Sequence, residues 1–182
     1  TNALCQTTSK TYWGVNTGLS ASNVAAAYAT PGQLATVTDV NGVRSDSYWD
    51  SLGRPKAIVI PPDSASYPTT VWSYGINGTA PSWTLESKQE RTGVAGSLGK
   101  VTYVDGFNRP IQVKSEAETA GQWTTQDTWY NSRGLVESVT VPYFTYGSVY
   151  GGRDVAQYKT RTGHDAVQRP TSVTNPDNTY RR

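Results

Sequence analysis

The sequence predicts an all-β fold made of repeated antiparallel β-hairpins, and three observations predict it. Val outnumbers Leu 18 to 7, and Thr and aromatic residues are abundant. Such β-branched and aromatic side chains fit a pleated, half-buried surface, whereas the usual helix-forming mixture is thin. Seventeen Gly and ten Pro divide the 182 residues into short segments. Finally, one phrase returns along the chain: an aromatic, then Asp or Asn, then a turn that resumes with Arg or Gly.

Residues 1–33 are the least regular. Within them, 20–29 predict either a short helix capped by Ser20 or Ser22 and ended by Thr30-Pro31-Gly32, or an irregular excursion. From residue 34 to 182 the texture is that of a β-scaffold. Alternation over 34–38 predicts a strand, Asp39-Val40-Asn41-Gly42 a turn, and 43–49 a second strand. Asp50-Ser51-Leu52-Gly53 places Asp and Gly where a type I turn prefers them, and 54–60 is a third strand stopped by Pro61-Pro62-Asp63. Strands at 67–74 and 83–90, joined by Gly75-Ile76-Asn77-Gly78, form a further hairpin. Residues 93–100 are expected to be a flexible loop before a strand beginning at Val101.

Charge and composition exclude several functions. Sixteen basic against fourteen acidic residues leave a net charge of +2, too little for a nucleic-acid footprint; Arg181 and Arg182 are only a short basic end. No apolar run approaches the roughly 20 residues that span a bilayer. Aromatics make up 11% of the chain and can bury a core, which argues against disorder. The single Cys5 permits no intrachain disulfide and leaves the compartment open. Asn77-Gly78-Thr79 is a formal glycosylation sequon, relevant only in a eukaryotic secretory host. With no initiator Met and no signal peptide, the chain is expected to be a piece of a longer array.

The recurring phrase is Tyr48-Trp49-Asp50-Ser51-Leu52-Gly53-Arg54-Pro55, then Tyr103-Val104-Asp105-Gly106-Phe107-Asn108-Arg109-Pro110. Third comes Trp129-Tyr130-Asn131-Ser132-Arg133-Gly134, and fourth Gly163-His164-Asp165-Ala166-Val167-Gln168-Arg169-Pro170. The acid or amide positions 50, 105, 131 and 165 are separated by 55, 26 and 34 residues, too uneven for a fixed-period solenoid. This phrase, together with Thr174-Asn175-Pro176-Asp177-Asn178-Thr179-Tyr180, resembles the YD repeat of the Rhs, toxin-complex and teneurin-like proteins. The resemblance covers roughly 34–182. Departures from it are Asn131 in place of Asp, His164 in place of Tyr, and Asn108 and Gln168 where Gly is usual.

The resemblance implies antiparallel strands wound into a spiral sheet that closes as a shell around a toxin or displays an adhesive body. The expected location is therefore secreted or at the cell surface. Some such proteins cut themselves at Asp-Pro; this chain has none, so self-cleavage is not expected within it.

The residue types of the phrase have physical reasons. Asp at a turn's first position accepts a backbone N–H two residues on. Gly supplies positive φ where the strand resumes. Asn tolerates that conformation and Gln does so poorly, so the turn at Gln168 is expected to differ in type. The arginines are expected to stack on the Tyr or Trp across the hairpin. The repeat residues Tyr48, Asp50, Gly53, Arg54, Tyr103, Asp105, Arg109, Tyr130, Asn131, Gly134, His164, Asp165 and Arg169 are thus expected to be architectural.

Other constellations fail as sites. In Gly93-Val94-Ala95-Gly96-Ser97-Leu98-Gly99-Lys100, Val94 and Val101 stand where a phosphate loop needs Gly and Ser or Thr, and Ala95 breaks a nucleophile elbow. His164 and Asp165 are strand neighbours pointing to opposite faces, poorly placed as a dyad. Glu116 and Glu118 share strand parity, but no cleft signal accompanies them. One His and one Cys make no metal site. Trp13, Trp72, Trp83, Trp123 and Trp129, if outward, would form a sugar-stacking surface.

The expected function is that of a non-catalytic scaffold with no cofactor. Its expected partners are the rest of its parent chain, an enclosed toxin or cargo, and copies of itself through exposed strand edges. The alternative is an adhesion or carbohydrate-binding module using exposed Trp and Tyr on glycans.

Overall fold

The computed structural model describes residues 7–14, 18–76, 78 and 81–181. Cys5, Asn77, Thr79 and Arg182 lie outside the described residues. The fold is all-β. Its strands are β1 (Thr7–Tyr12), β2 (Leu34–Asp39), β3 (Arg44–Trp49), β4 (Pro55–Val59), β5 (Thr70–Gly75), β6 (Ser82–Gln89) and β7 (Ser97–Val104). They continue with β8 (Pro110–Glu116), β9 (Gln122–Tyr130), β10 (Val136–Thr140), β11 (Tyr143–Tyr146), β12 (Lys159–His164), β13 (Pro170–Thr174) and β14 (Tyr180–Arg181). They form a sheet whose order follows the chain, except that β11 pairs with β9. Sequential neighbours joined by short turns explain why the described pairings are antiparallel.

Two compact units divide the chain: Thr1–Ser73 with Glu86–Gly99, and Tyr74–Leu85 with Lys100–Arg182. In the first, β1 to β4 form a meander. Alternation in β4 buries Ala57 and Val59 on one face, and Tyr48, opposite Ala57, joins them. Residues 13–14 and 18–33 fold over this face. Trp13 packs against Tyr48 with ring centroids 6.1 Å apart and donates its indole N–H to Ser47 O at 3.0 Å. Val24 and Ala35 complete a buried cluster with Trp13, Tyr48, Ala57 and Val59. The segment 20–29 contains a single 3-10 turn, Ala21–Asn23, rather than an α-helix. Ser20 supplies no side-chain cap; its hydroxyl pairs with that of Ser22 instead.

The loop expected over 93–100 is shorter than its sequence suggests. Ser97 to Lys100 belong to β7, and the turn before them is held by Gln89, whose side chain donates to the carbonyls of Arg91 and Val94.

In the second unit, β9 is the longest strand and buries Trp123, Thr125 and Asp127 at every second residue. Its edge is shared by two strands: β11 pairs with Gln122 to Thr125, and β10 with Thr128 to Tyr130. Between β10 and β11 lies Val141-Pro142, where Pro cannot donate to a ladder. A buried cluster of Val101, Tyr103, Ile111 and Trp123 forms the apolar core, with Trp83, Leu85, Tyr130 and Tyr150 packed against it.

Candidate functional site

Two arrangements concentrate the polar chemistry of the chain: the repeated turn and a buried network in the second unit. The turn is the same at every copy. At Asp50, Asp105, Asn131 and Asp165 the residue donates its N–H to the carbonyl four residues on, and accepts at its own carbonyl the N–H of the residue three on. Its side-chain Oδ1 accepts the N–H groups two and four residues on, at 2.9–3.1 Å. This is a type I turn followed by a left-handed residue. Gly53 (φ 73), Asn108 (φ 60), Gly134 (φ 79) and Gln168 (φ 71) fill that last position. The expected change of turn type at Gln168 therefore does not occur; the polar latch imposes the left-handed conformation on a residue that disfavours it. After each turn the ladder slips by one residue, as at Tyr48/Trp49, Tyr103/Val104 and Gly163/His164.

The same backbone closure occurs at Asp39, with Gly42 at φ 79, and at Asn175, with Asn178 at φ 66. The first was expected as a turn, in a run, 38–55, that as a whole resembles the YD repeat.

Arginine's partner in the turn is the acid. Arg54, Arg109 and Arg169 each donate Nε to the Oδ2 of the Asp four residues earlier, at 2.7–2.8 Å. Arg109 also lies over Phe107 (5.0 Å) and over Tyr130 (4.5 Å) on the following strand. The stacking expected across its own hairpin is corrected here: Tyr103 turns inward, buried, and donates its hydroxyl to Ser148 O at 2.7 Å. At the third copy Leu135 stands where Arg would be, and Asn131 has no second carboxylate oxygen to offer. Arg133 reaches the next turn instead, donating to Asp165 O at 2.7 Å and Ala166 O at 3.3 Å.

These contacts set the acidities. The guanidinium of Arg109, aided by backbone N–H groups, holds Asp105 below the ordinary carboxylate range, and Arg169 does the same for Asp165. Burial opposes ionisation at Asp50, but the Arg54 backbone N–H, its guanidinium and the Leu52 N–H outweigh it.

The position of His164 is also corrected. It occupies the slot of Trp49 and Val104, immediately before the acid, not that of Tyr48 and Tyr103. The Tyr slot holds Gly163, where a Cβ would meet Ser172 Oγ at 2.5 Å. Asp165 is committed to its turn and to Arg169. Glu116 ends β8 and Glu118 lies in the turn beyond it, so the two do not share a strand face.

Sequence reasoning missed the second arrangement. Residues 147–157 form a strap across the face of β7, β8 and β9. Cross-strand partners place Tyr103, Gln112 and Asp127 in one row and Val101, Lys114 and Thr125 in the next. Gln112, Lys114, Thr125 and Asp127 are 1%, 3%, 0% and 0% exposed, so polar groups here are interior. Gln112 Nε2 donates to Asp127 Oδ1 (2.8 Å) and to Gly152 O (2.9 Å). Asp127 Oδ2 accepts the Tyr143 hydroxyl (2.7 Å) and the Asp154 N–H (2.9 Å). Lys114 Nζ donates to Gly147 O (3.1 Å) and Val149 O (2.8 Å). Tyr150 packs on Tyr103, ring centroids 5.2 Å apart, and Arg153 donates to Thr128 O at 3.0 Å.

Burial pushes the Lys114 amine down, against the attraction of Asp127. Burial and the Asp127 carboxylate push the Tyr143 phenol well above its usual value. Lys114 ties the strap to β8 through two of its carbonyls, those of Gly147 and Val149. Gln112, Lys114, Tyr143, Thr145, Tyr146, Val149, Gly151, Gly152, Arg153 and Asp154 line a cavity of about 460 Å³. An apolar cavity of about 330 Å³ lies nearby against Trp83, Leu85, Val101, Tyr103 and Tyr150.

The outward tryptophan surface is not present. Trp13 and Trp123 are buried, and Trp72, Trp83 and Trp129 are half-buried. Trp129 is covered by Arg153 and Lys159, 5.3 and 4.1 Å from its ring centre. No cluster of His, Cys, Asp and Glu able to hold a metal exists among the described residues. No helix there is long and apolar enough to cross a membrane.

The fold thus defines a class: a sheet of sequential hairpins in which the turns at Asp50, Asp105, Asn131 and Asp165 are closed by an Asx latch, three of them bound to arginine. Among solved structures the fold alone is shared with TcdB2-TccC3, at a TM-score of 0.68 and 17% identity over 82% of this chain. It is also shared with TcdB2-TccC3 without the hypervariable C-terminal region (0.63, 14%) and with TcdB2-TccC3-Cdc42 (0.68, 14%), again over 82%. These neighbours are toxin-complex structures of Rhs/YD-repeat shell proteins, so the sequence resemblance has its counterpart in fold. The chain spans 10–12% of the length of these solved chains. No family model and no curated protein matches the chain.

Proposed function

We propose that this chain is a non-catalytic wall segment of a YD-repeat shell, which encloses or displays a cargo or toxin domain in a large secreted or surface protein. The observation that carries this reading is the latched turn repeated along one sheet. In each acidic copy, carboxylate oxygens are taken by two backbone N–H groups and an arginine, leaving no proton-transfer role and stiffening the hairpin. The likeness to a tenth of much longer toxin-complex chains supports a segment within a larger wall. Its partners on this reading are the remainder of the parent chain and the cargo.

The test is electron microscopy of the intact parent protein together with protease protection of its other domains. A hollow body with this segment in its wall, and an inner domain cut only after Asp105→Ala and Arg109→Ala are introduced, is expected. A solid body, or an assayed activity lost in Arg54→Ala or Arg109→Ala at unchanged Tm, would overturn the proposal.

A further inference from the structure

The sheet forks at β9, and one prong of the fork has an open edge. β10 pairs with β9 on one side and β12 on the other, whereas β11 pairs with β9 alone. After β11 the chain leaves the sheet as the strap and returns only at β12, so its own next hairpin does not cover this edge.

The register states which groups the edge offers. Gly147 donates its N–H to Gly121 O at 2.9 Å, one step beyond the Tyr146–Gln122 pair. In an antiparallel ladder bonded and unbonded pairs alternate. Tyr143 and Thr145 therefore turn their backbone groups toward β9, and Phe144 and Tyr146 turn theirs away from it. β9 agrees: Gln122, opposite Tyr146, accepts the Ala117 N–H and donates to Thr119 O, on the side of β8. Beyond β9, no described residue bonds the backbone of Phe144 or Tyr146. Their two N–H and two C=O groups face outward.

The side chains divide in the same way. Tyr143 bonds Asp127 and Thr145 bonds Thr125, both on the strap side. Phe144 and Tyr146 stand on the other face, 65% and 80% exposed. Strands that must stay unpaired are commonly guarded by charge. β1 carries Lys10 and β14 carries Arg181, but β11, Tyr-Phe-Thr-Tyr, has no charge. Pro142, which has no N–H to give, marks one limit of the pairing.

These features define the occupant. Outward N–H and C=O groups at two-residue spacing match an extended backbone. Its side chains opposite Phe144 and Tyr146 share their face, where apolar or aromatic ones pair best. The side chain between them meets the strap side and has to be small. A strand of four residues is about 14 Å long, too short for the roughly 1,000 Å² of interface that a free partner needs. A tethered segment needs far less, because a linker raises its effective concentration to about the mM range.

We propose that the open edge of β11 takes up, as an added antiparallel strand, an extended segment of the parent polypeptide from outside these residues. This rests on the reading of the chain as one segment of a longer protein.

The experiment is hydrogen exchange of the 182-residue chain and of the intact parent, read residue by residue after electron-transfer fragmentation. The Tyr143 and Thr145 amides, bonded to β9, should be slow in both. The Phe144 and Tyr146 amides should be fast in the chain and about ten-fold or more slower in the parent. Phe144→Lys in the parent adds a charge to the edge and should return the Tyr146 amide to fast exchange, with Tyr143 and Thr145 still slow. Tyr146→benzoylphenylalanine, photoactivated in the parent, should cross-link to one segment of the same polypeptide. The proposal is overturned if the two outward amides are already slow in the chain, or are equally fast in both proteins. A cross-link to a second copy or to a separate protein also overturns it. A hollow parent whose outward amides stay fast sinks the added strand alone and leaves the wall reading intact.

Discussion

The two units solve one problem with different chemistry. Each has a hairpin whose Tyr, Tyr48 or Tyr103, turns inward, and each covers that Tyr with an irregular excursion bearing an aromatic, Trp13 or Tyr150. In the first the cover is apolar: Trp13 and Val24 close on Ala35, Ala57 and Val59. Over 147–157 it is polar, with carbonyls and an N–H of the strap taken by Lys114, Gln112 and Asp127. The latched hairpins hold the frame in both. What lies on them is free to differ, and the polar cover borders a cavity of about 460 Å³.

The sharpest way to break this comparison is to remove the apolar cover. Trp13→Ala should cost about 3–5 kcal/mol, the usual range for deleting a buried aromatic. It should appear as a lowered urea midpoint, with the loss confined to the first unit in hydrogen exchange. A loss spread evenly over both units would show that the covers are not independent.

Second in size is the polar cover. Asp127→Asn keeps the shape but must turn an amide donor toward Gln112 Nε2, or toward the Tyr143 hydroxyl and the Asp154 N–H. One buried donor is then left unpaired, at about 1–3 kcal/mol. Hydrogen exchange should show the strap released before the hairpins. If the strap stayed protected, its carbonyl bonds to Lys114 and the Tyr150 packing would be its principal anchors.

The latches themselves give a smaller, pH-dependent effect. Asp105 has a folded pKa below its unfolded one, so the stability it contributes is present above the unfolded value of about 3.9 and is lost as pH falls through the folded value. Asp105→Asn should therefore lower Tm at neutral pH, and the gap to the parent chain should close on acidification below that unfolded value. Arg169 is 78% exposed against 31% for Arg109, so the corresponding Asp165→Asn gap should be smaller, because solvent screens an exposed pair.

The latched turns were legible because their determinants lie within five residues: an acid or amide, a left-handed position and an arginine. The same locality made the strands between 34 and 60 readable almost to the residue. The acid was missed as the arginine's partner, and the expected ring was the wrong one, because Tyr103 turns inward while Arg109 bonds Asp105 and lies over Phe107 and Tyr130. The strap was hidden for the opposite reason. Its partners Gln112 and Lys114 lie 33–40 residues away, and a run with Gly147, Gly151 and Gly152 reads as an ordinary loop. Polar residues alternating with apolar ones in a strand suggest a solvated face, and only the parity of Thr125 and Asp127 with buried Trp123 hinted otherwise. The tryptophans failed as a surface because a sheet covered by two excursions needs large side chains between layers.

The finest comparison is among the turns. Gly53 and Gly134 take positive φ without strain, whereas Gln168 is held at φ 71 by the Asp165 latch. An L side chain in the left-handed region costs about 1 kcal/mol relative to Gly. Gln168→Gly relieves that cost, but Gly also gains more freedom in the unfolded chain, which offsets part of it. The expected net effect is a stabilisation of a few tenths of a kcal/mol to about 1 kcal/mol, measured as a small rise in the urea midpoint. Asn108→Gly should give less, since Asn tolerates the region better. If Gln168→Gly were destabilising, the Gln side chain would be contributing to the turn by contacts of its own, and the latch alone would not account for a left-handed glutamine.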